Sequence, residues 1–138
     1  MTTFYLPTSL ATEHYGLEFA STLQAGSIVF LSGDLGAGKT SLVRGILQGL
    51  GHEGTVKSPT FTLVEPYSLD CEVYHFDLYR LEDPAEELEM IGMRDYLHPT
   101  AICLIEWPEK AAGYLPKPNW WLTLEIESDG RRLTVEES

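Results

Sequence analysis

The sequence has 138 residues, 43% hydrophobic and 22% charged, with a formal net charge of −12. That length predicts a single domain over residues 1–138, and the composition is that of a globular chain with no apolar run long enough to span a membrane. Nine Lys and Arg against 21 Asp and Glu argue against a direct grip on nucleic acid, which needs a basic face: DNA is not an expected partner, and RNA would be reached through another protein.

Met1-Thr2-Thr3-Phe4-Tyr5-Leu6-Pro7 has no basic n-region, so no secretory leader is expected. Cys71 and Cys103 are far apart with no C-x-x-C spacing, which fits free thiols in a reducing cytoplasm. Thr2 to Leu6 predicts a short strand. Pro7-Thr8-Ser9 offers turn and N-cap residues. Leu10, Tyr15, Leu17, Phe19 and Leu23 then predict a helix to about Gln24, ended by Ala25-Gly26.

Ser27 to Ser32 predicts a buried strand. It runs into Gly33-Asp34-Leu35-Gly36-Ala37-Gly38-Lys39-Thr40, a G-x-x-x-x-G-K-[ST] match. Strand, glycine-rich turn and a Lys-Thr helix start make a phosphate-binding loop. The glycines allow the backbone to turn its N–H groups onto an anion. Lys39 can reach the β- and γ-phosphates, the Thr40 hydroxyl stands where Mg²⁺ is held, and the helix points its positive end at the same phosphates. That helix is expected from Lys39 to Leu50, with Leu42, Val43, Ile46, Leu47 and Leu50 on its apolar side and Gly51 as its stop. The only asparagine, Asn119, is followed by Trp120, so the N-K-x-D reader of guanine is absent. ATP is therefore the expected nucleotide, with the helix around Leu10, Ala11 and Thr12 a candidate for holding its base.

Ser58-Pro59 signals an extended or turn segment. In Lys57-Ser58-Pro59-Thr60-Phe61-Thr62 the hydroxyls of Thr60 and Thr62 are placed as a switch that senses γ-phosphate would need; ordinary strand threonines are the alternative. Phe61 to Tyr67 and Cys71 to Tyr79 predict an antiparallel hairpin around Ser68-Leu69-Asp70. A helix follows from Pro84 to Ile91, capped by Asp83. The acids Glu82, Asp83, Glu86, Glu87 and Glu89 cluster there, as a solvated face or a docking surface. Ala101 to Ile105 predicts a continuous apolar strand. Asn119 to Ile126 and Arg131 to Glu136 form a hairpin across Ser128-Asp129-Gly130. The sum is an α/β domain with a mixed sheet.

Ligands of open α/β sheets sit at the carboxyl ends of strands, so acids directly after apolar runs are the candidates to complete the site. Glu106 ends Ala101-Ile102-Cys103-Leu104-Ile105 and is expected in the metal shell, directly or through water. Asp77 ends Val73-Tyr74-His75-Phe76 and is expected near the metal or positioning the attacking water. Lys39, Asp77 and Glu106 are thus the expected catalytic set. Trp107-Pro108 either shapes the pocket wall or packs in the core. The four histidines are scattered with no metal-ligand spacing. A small-molecule kinase is a rival reading, though the five arginines form no R-x-x-x-R lid pattern. A nucleotide-dependent adaptor without turnover is a third.

Four segments carry a resemblance: Gly33 to Thr40, Val56-Lys-Ser-Pro-Thr-Phe-Thr-Leu-Val-Glu-Pro-Tyr67, Tyr74-His-Phe-Asp-Leu-Tyr-Arg-Leu81 and Leu104-Ile-Glu-Trp-Pro-Glu109. In order and spacing they resemble the bacterial TsaE (formerly YjeE) family, small ATPases of tRNA threonylcarbamoyladenosine biosynthesis, over nearly the whole chain. The resemblance implies a three-layer P-loop NTPase-like α/β fold with a mixed parallel/antiparallel sheet. It implies weak intrinsic ATP hydrolysis that becomes productive with the partner proteins TsaB and TsaD, where TsaD modifies tRNA and ATP use resets or drives its cycle. By position, Thr40 and Glu106 match the family's Mg²⁺ ligands, Asp77 its Walker-B-like acid and Thr60 its switch-like segment. Arg131 or Arg132 falls where a C-terminal arginine approaches the nucleotide, and Leu10 to Thr12 where N-terminal nucleotide contacts lie. Ser41 after Thr40 leaves the metal ligand intact and completes the nucleotide-contacting run from Gly33.

Overall fold

Side-chain alternation builds the sheet from the residue up. On the first central strand, Val29 and Leu31 enter one buried cluster while Phe30 enters the other. On its neighbour, Ile102 and Leu104 join the first cluster, Cys103 and Ile105 the second. Strands apolar on both faces need cover on both faces. A computed structural model, which describes residues 1–59 and 62–138, has that cover. Its elements are β1 (Thr2–Leu6), α1 (Ser9–Phe19), β2 (Ile28–Ser32), α2 (Lys39–Gly49), β3 (Val64–Ser68), β4 (Glu72–Asp77), α3 (Pro84–Ile91), α4 (Met93–Tyr96), β5 (Ile102–Glu106), β6 (Trp120–Glu127) and β7 (Gly130–Glu137). Residues of α1 and α2 line the first cluster, and Leu88 of α3 and Met93 of α4 the second.

The strands form one sheet in the order β1-β7-β6-β2-β5-β4-β3. β2 pairs in parallel with both β5 and β6, and β4 in parallel with β5. The hairpin pairs β3/β4 and β6/β7 and the edge pair β1/β7 are antiparallel. The expected three-layer α/β arrangement with a mixed sheet is therefore observed. Pro66 lies in β3, an edge strand that tolerates a missing N–H.

Local signals place most boundaries. Thr8 caps α1, its hydroxyl accepting from Ala11 N at 3.0 Å. Asp83 caps α3 by accepting from Glu86 N, Pro84 takes the first turn, and Gly92 closes the helix in the left-handed region at φ 71°. Glu87 accepts from the backbone N–H groups of Glu82 and Asp83 at 2.8 and 2.7 Å. Two of the clustered acids thus serve as helix caps.

The first helix differs from expectation. It ends at Phe19, followed by one 3₁₀ turn over Ala20–Thr22. Leu10 and Leu17, read as part of its apolar face, are 73% and 43% exposed, whereas Thr12, Gly16 and Phe19 are buried. The physical reason is close backbone approach. A Cβ on Gly45 of α2 would stand 1.9 Å from Glu13 O, and one on Gly16 2.5 Å from Leu42 O. The two helices meet through small residues, so the buried stripe is not the most hydrophobic one.

Candidate functional site

Three adjacent strands, β2, β5 and β4, run in parallel and end together. Across the ladders Leu31 is level with Glu106, and Glu106 with Asp77. The loop that leaves β2 therefore opens beside both strand-end acids. On β4 and β5, period two puts His75, Asp77 and Glu106 on the face of Val73, Ile102 and Leu104, which is the α2 face.

The loop itself is a compact turn. Ala37 N donates to Asp34 O at 3.0 Å. Gly36 and Gly38 have φ 81° and 104°, conformations in which a side chain would be strained. Gly33 also sits hard against β6, where a Cβ would meet Leu124 O at 2.6 Å. Gly38 is the N-cap of α2 and supplies no side-chain cap to its first turn. Open first-turn N–H groups and the helix dipole favour an anion at that end. Leu35 and Thr40 are exposed, Ser41 is half-buried and Ala37 is buried.

Lys39 is buried at 6% exposure. Its ammonium donates to Gly33 O and, at 3.4 Å, to Asp34 O, and lies 4.3 Å from the centre of the Trp107 ring. Burial pushes its pKa below the usual lysine value, opposed by the carboxylates of Glu106, Asp77, Glu109 and Asp34 in that order. Trp107, for which two roles stood open, fills both: it lines the pocket and packs against the second cluster. It adopts φ 57°, and its backbone N–H donates to Leu31 O at 3.2 Å. Its ring meets that of Tyr79 at a tilt of 51°, centroids 5.0 Å apart. A cavity of about 420 Å³ opens between it, Asp34 and Glu125.

Glu106 is 6% exposed, and its Oε2 lies 2.5 Å from His75 Nε2. Asp77 is half-buried, and its Oδ1 accepts from Tyr79 N at 3.0 Å. The backbone N–H of Leu78 donates to Glu106 O at 3.1 Å. Among the described residues no group of three His, Cys, Asp or Glu could hold a metal by itself. Magnesium in phosphate sites uses one or two protein oxygens and fills its shell from phosphate and water. The exposed Thr40 hydroxyl and the Glu106 carboxylate are hard-oxygen donors of the type that fits such a site.

The remaining expected residues divide. Arg131 reaches the loop: Nε donates to Ala37 O and Nη2 to Gly36 O, both at 3.0 Å. Arg132 turns away and pairs with Glu125 at 3.2 Å. Thr12 is buried beside Gly38, its hydroxyl donating to Thr8 O at 3.3 Å, so it offers the methyl. Thr12, Gly38, Asp129 and Arg131 line a cleft of about 90 Å³ behind the loop. Thr60 lies outside the described residues; Thr62 is exposed and donates to Val64 O at 3.1 Å. Sequence reasoning missed His75. The missed signal was its place two residues before Asp77 on a strand, which puts both on one face.

A family model described as threonylcarbamoyl adenosine biosynthesis protein TsaE matches residues 6–134. The chain is similar to the tRNA threonylcarbamoyladenosine biosynthesis protein TsaE of Haemophilus influenzae, with 49% identity covering 96% of this chain and 87% of that protein. It is 39% identical to the Treponema pallidum protein of the same name, covering 88% and 89% of the two chains. A crystal structure of Bacillus subtilis YdiB superposes with a TM-score of 0.83 at 27% identity, over 99% of this chain and 84% of that one. With the family model matching nearly its full length and these identities, the chain belongs to the TsaE family of threonylcarbamoyl adenosine biosynthesis proteins.

Proposed function

We propose that this protein is the Mg²⁺-dependent ATPase component of tRNA threonylcarbamoyladenosine biosynthesis, with weak activity alone and productive turnover in a complex with TsaB and TsaD. One observation carries the reading: the phosphate loop leaving β2 opens beside Glu106 and Asp77 at the ends of the two neighbouring parallel strands. A loop without acids binds phosphate; acids at this position add the means to hydrolyse it.

Each residue then has a role. The backbone N–H groups from Gly33 to Ser41 receive the phosphates. Lys39 exchanges its resting carbonyls, Gly33 O and Asp34 O, for β- and γ-phosphate oxygens. Thr40 and Glu106 would hold Mg²⁺, which supplies charge neutralisation between the phosphates when bound. Asp77 orients the attacking water. Arg131 holds the loop in shape from behind, and Thr12 with Gly38 forms the cleft for the base. Thr60 is the proposed γ-phosphate sensor. The whole chain acts as one cytoplasmic domain that meets tRNA only through its partners; among the described residues no helix is long and apolar enough to cross a membrane.

The test is ATPase activity of the chain alone, with TsaB and TsaD, and with candidate small-molecule acceptors. Stimulation by the two proteins supports the reading. A phosphorylated small product would point to a kinase, and binding with no turnover under any condition to an adaptor. Lys39→Ala is expected to abolish ATP binding. Glu106→Ala is expected to retain binding and lose Mg²⁺-dependent hydrolysis; normal turnover by that variant with TsaB and TsaD would refute its role.

A further inference from the structure

Glu106 is gripped from within the sheet. The His75 and Glu106 side chains are 3% and 8% exposed, with Nε2 and Oε2 2.5 Å apart. His75 Nδ1 is, among the described residues, the one buried side-chain nitrogen or oxygen atom with no hydrogen-bond partner. An ionised carboxylate only accepts, so with Glu106 charged Nε2 carries the proton and donates. A histidine kept only for packing would ordinarily have both nitrogens satisfied. Here one is left bare while the other is committed to Glu106. The fold makes this pairing available: β4 and β5 are parallel neighbours, and His75 lies level with Leu104, one pleat below Glu106 on the same face.

We propose that His75 is a positioning residue for Glu106. Its Nε2–H fixes Oε2 and locks the carboxylate in one rotamer, which leaves Oε1 as the oxygen that would hold Mg²⁺. A free glutamate would lose rotamer entropy each time the site assembled; a glutamate already held does not. Groups that orient a metal-binding carboxylate typically matter by 10- to 100-fold in metal affinity or activity. The proposal rests on the reading of Glu106 as a metal-shell residue.

The experiment compares His75→Gln, His75→Leu and His75→Asn. The Gln amide can place a donor near the former Nε2, Leu fills space with no donor, and the shorter Asn amide falls near Nδ1. Binding of a non-hydrolysable ATP analogue is measured by calorimetry in Mg²⁺ and in EDTA, and kcat and KM are followed alongside. His75→Leu is expected to lower Mg²⁺ affinity of the nucleotide complex roughly 10- to 100-fold, with affinity in EDTA unchanged. His75→Gln is expected to recover most of that loss, and no loss should appear on top of Glu106→Gln. Equal behaviour of the Gln and Leu variants, or equal losses in Mg²⁺ and EDTA, would overturn the assignment while leaving Glu106 in place. If His75→Leu does not fold, the Gln and Asn variants decide: only Gln should retain Mg²⁺ coupling, and parity between them sinks the proposal. A wild-type protein that binds the analogue equally with and without Mg²⁺ would instead remove Glu106 from the metal shell, and this role with it.

Discussion

Arg131 is the residue whose placement says most about how the loop is kept ready. Its guanidinium forks onto two successive loop carbonyls, Ala37 O and Gly36 O. Hydrogen bonds from a charged donor contribute about 1.5–3 kcal/mol each. Arg131→Ala is therefore expected to weaken ATP binding about tenfold or more in calorimetry, with Arg131→Lys recovering only part, since lysine has no fork. Unchanged affinity in Arg131→Ala would mean that the loop holds its shape alone. Cys103 offers a second test. It is 1% exposed, and burial pushes its thiol up to about 12 from 9.0. Because the folded value lies above the unfolded one, the unfolded chain releases this proton first as pH rises. Stability due to this group is thus full below pH 9 and declines toward pH 12, by about 1.4 kcal/mol per pH unit. Urea denaturation between pH 9 and 11 should be less pH-dependent by that amount in Cys103→Ala than in wild type. What was legible at this scale followed spacing: Lys39, Thr40 and the acids that end apolar runs. The His75–Glu106 pair, the Trp107 wall and the carbonyls that Arg131 takes depend on strand register, which a linear pattern does not carry.

Among the elements, strands were easier to read than the first helix. A period-two pattern or an unbroken apolar run survives folding, because sheet faces are covered by whatever packs on them. Thus β2, β5 and the β6/β7 hairpin fall close to where the residues suggest. Helix α1 misleads because its contact with α2 is made by absent side chains. A hydrophobic scale has no way to score Gly16 against Leu42 O, or Gly45 against Glu13 O. The consequence is measurable. Gly45→Ala must separate two backbones and is expected to destabilise the fold by about 3 kcal/mol, the upper range for overpacking, with a clear fall in Tm. Gly51→Ala, at φ 104° with nothing within 4 Å of its Cβ, should cost only the left-handed strain of about 1–2 kcal/mol. Equal losses in the two variants would mean that the helix contact yields more easily than its geometry implies.

For the molecule as a whole, charge sets the terms of association. With a formal charge of −12, the net field of the chain opposes a phosphate backbone on approach, over a Debye length of about 8 Å at physiological salt. Gel-shift titration of tRNA with the isolated chain should therefore give no retained complex; under the proposed function, adding TsaB and TsaD brings the chain into one. A salt-sensitive complex with tRNA alone would contradict this. The edge of the sheet has a different consequence, in time. Strand β1 comes first in the sequence, yet its partner is β7, with Thr2 level with Val135 and Leu6 level with Arg131. Contacts so distant along the chain close slowly. On a ribosome, β1 leaves the exit tunnel well before β7 and cannot take this place in the sheet until β7 has followed. The same late hairpin brings Arg131. Synthesis order thus separates two events: a nascent chain can present the glycine-rich turn long before Arg131 of β7 emerges to brace it.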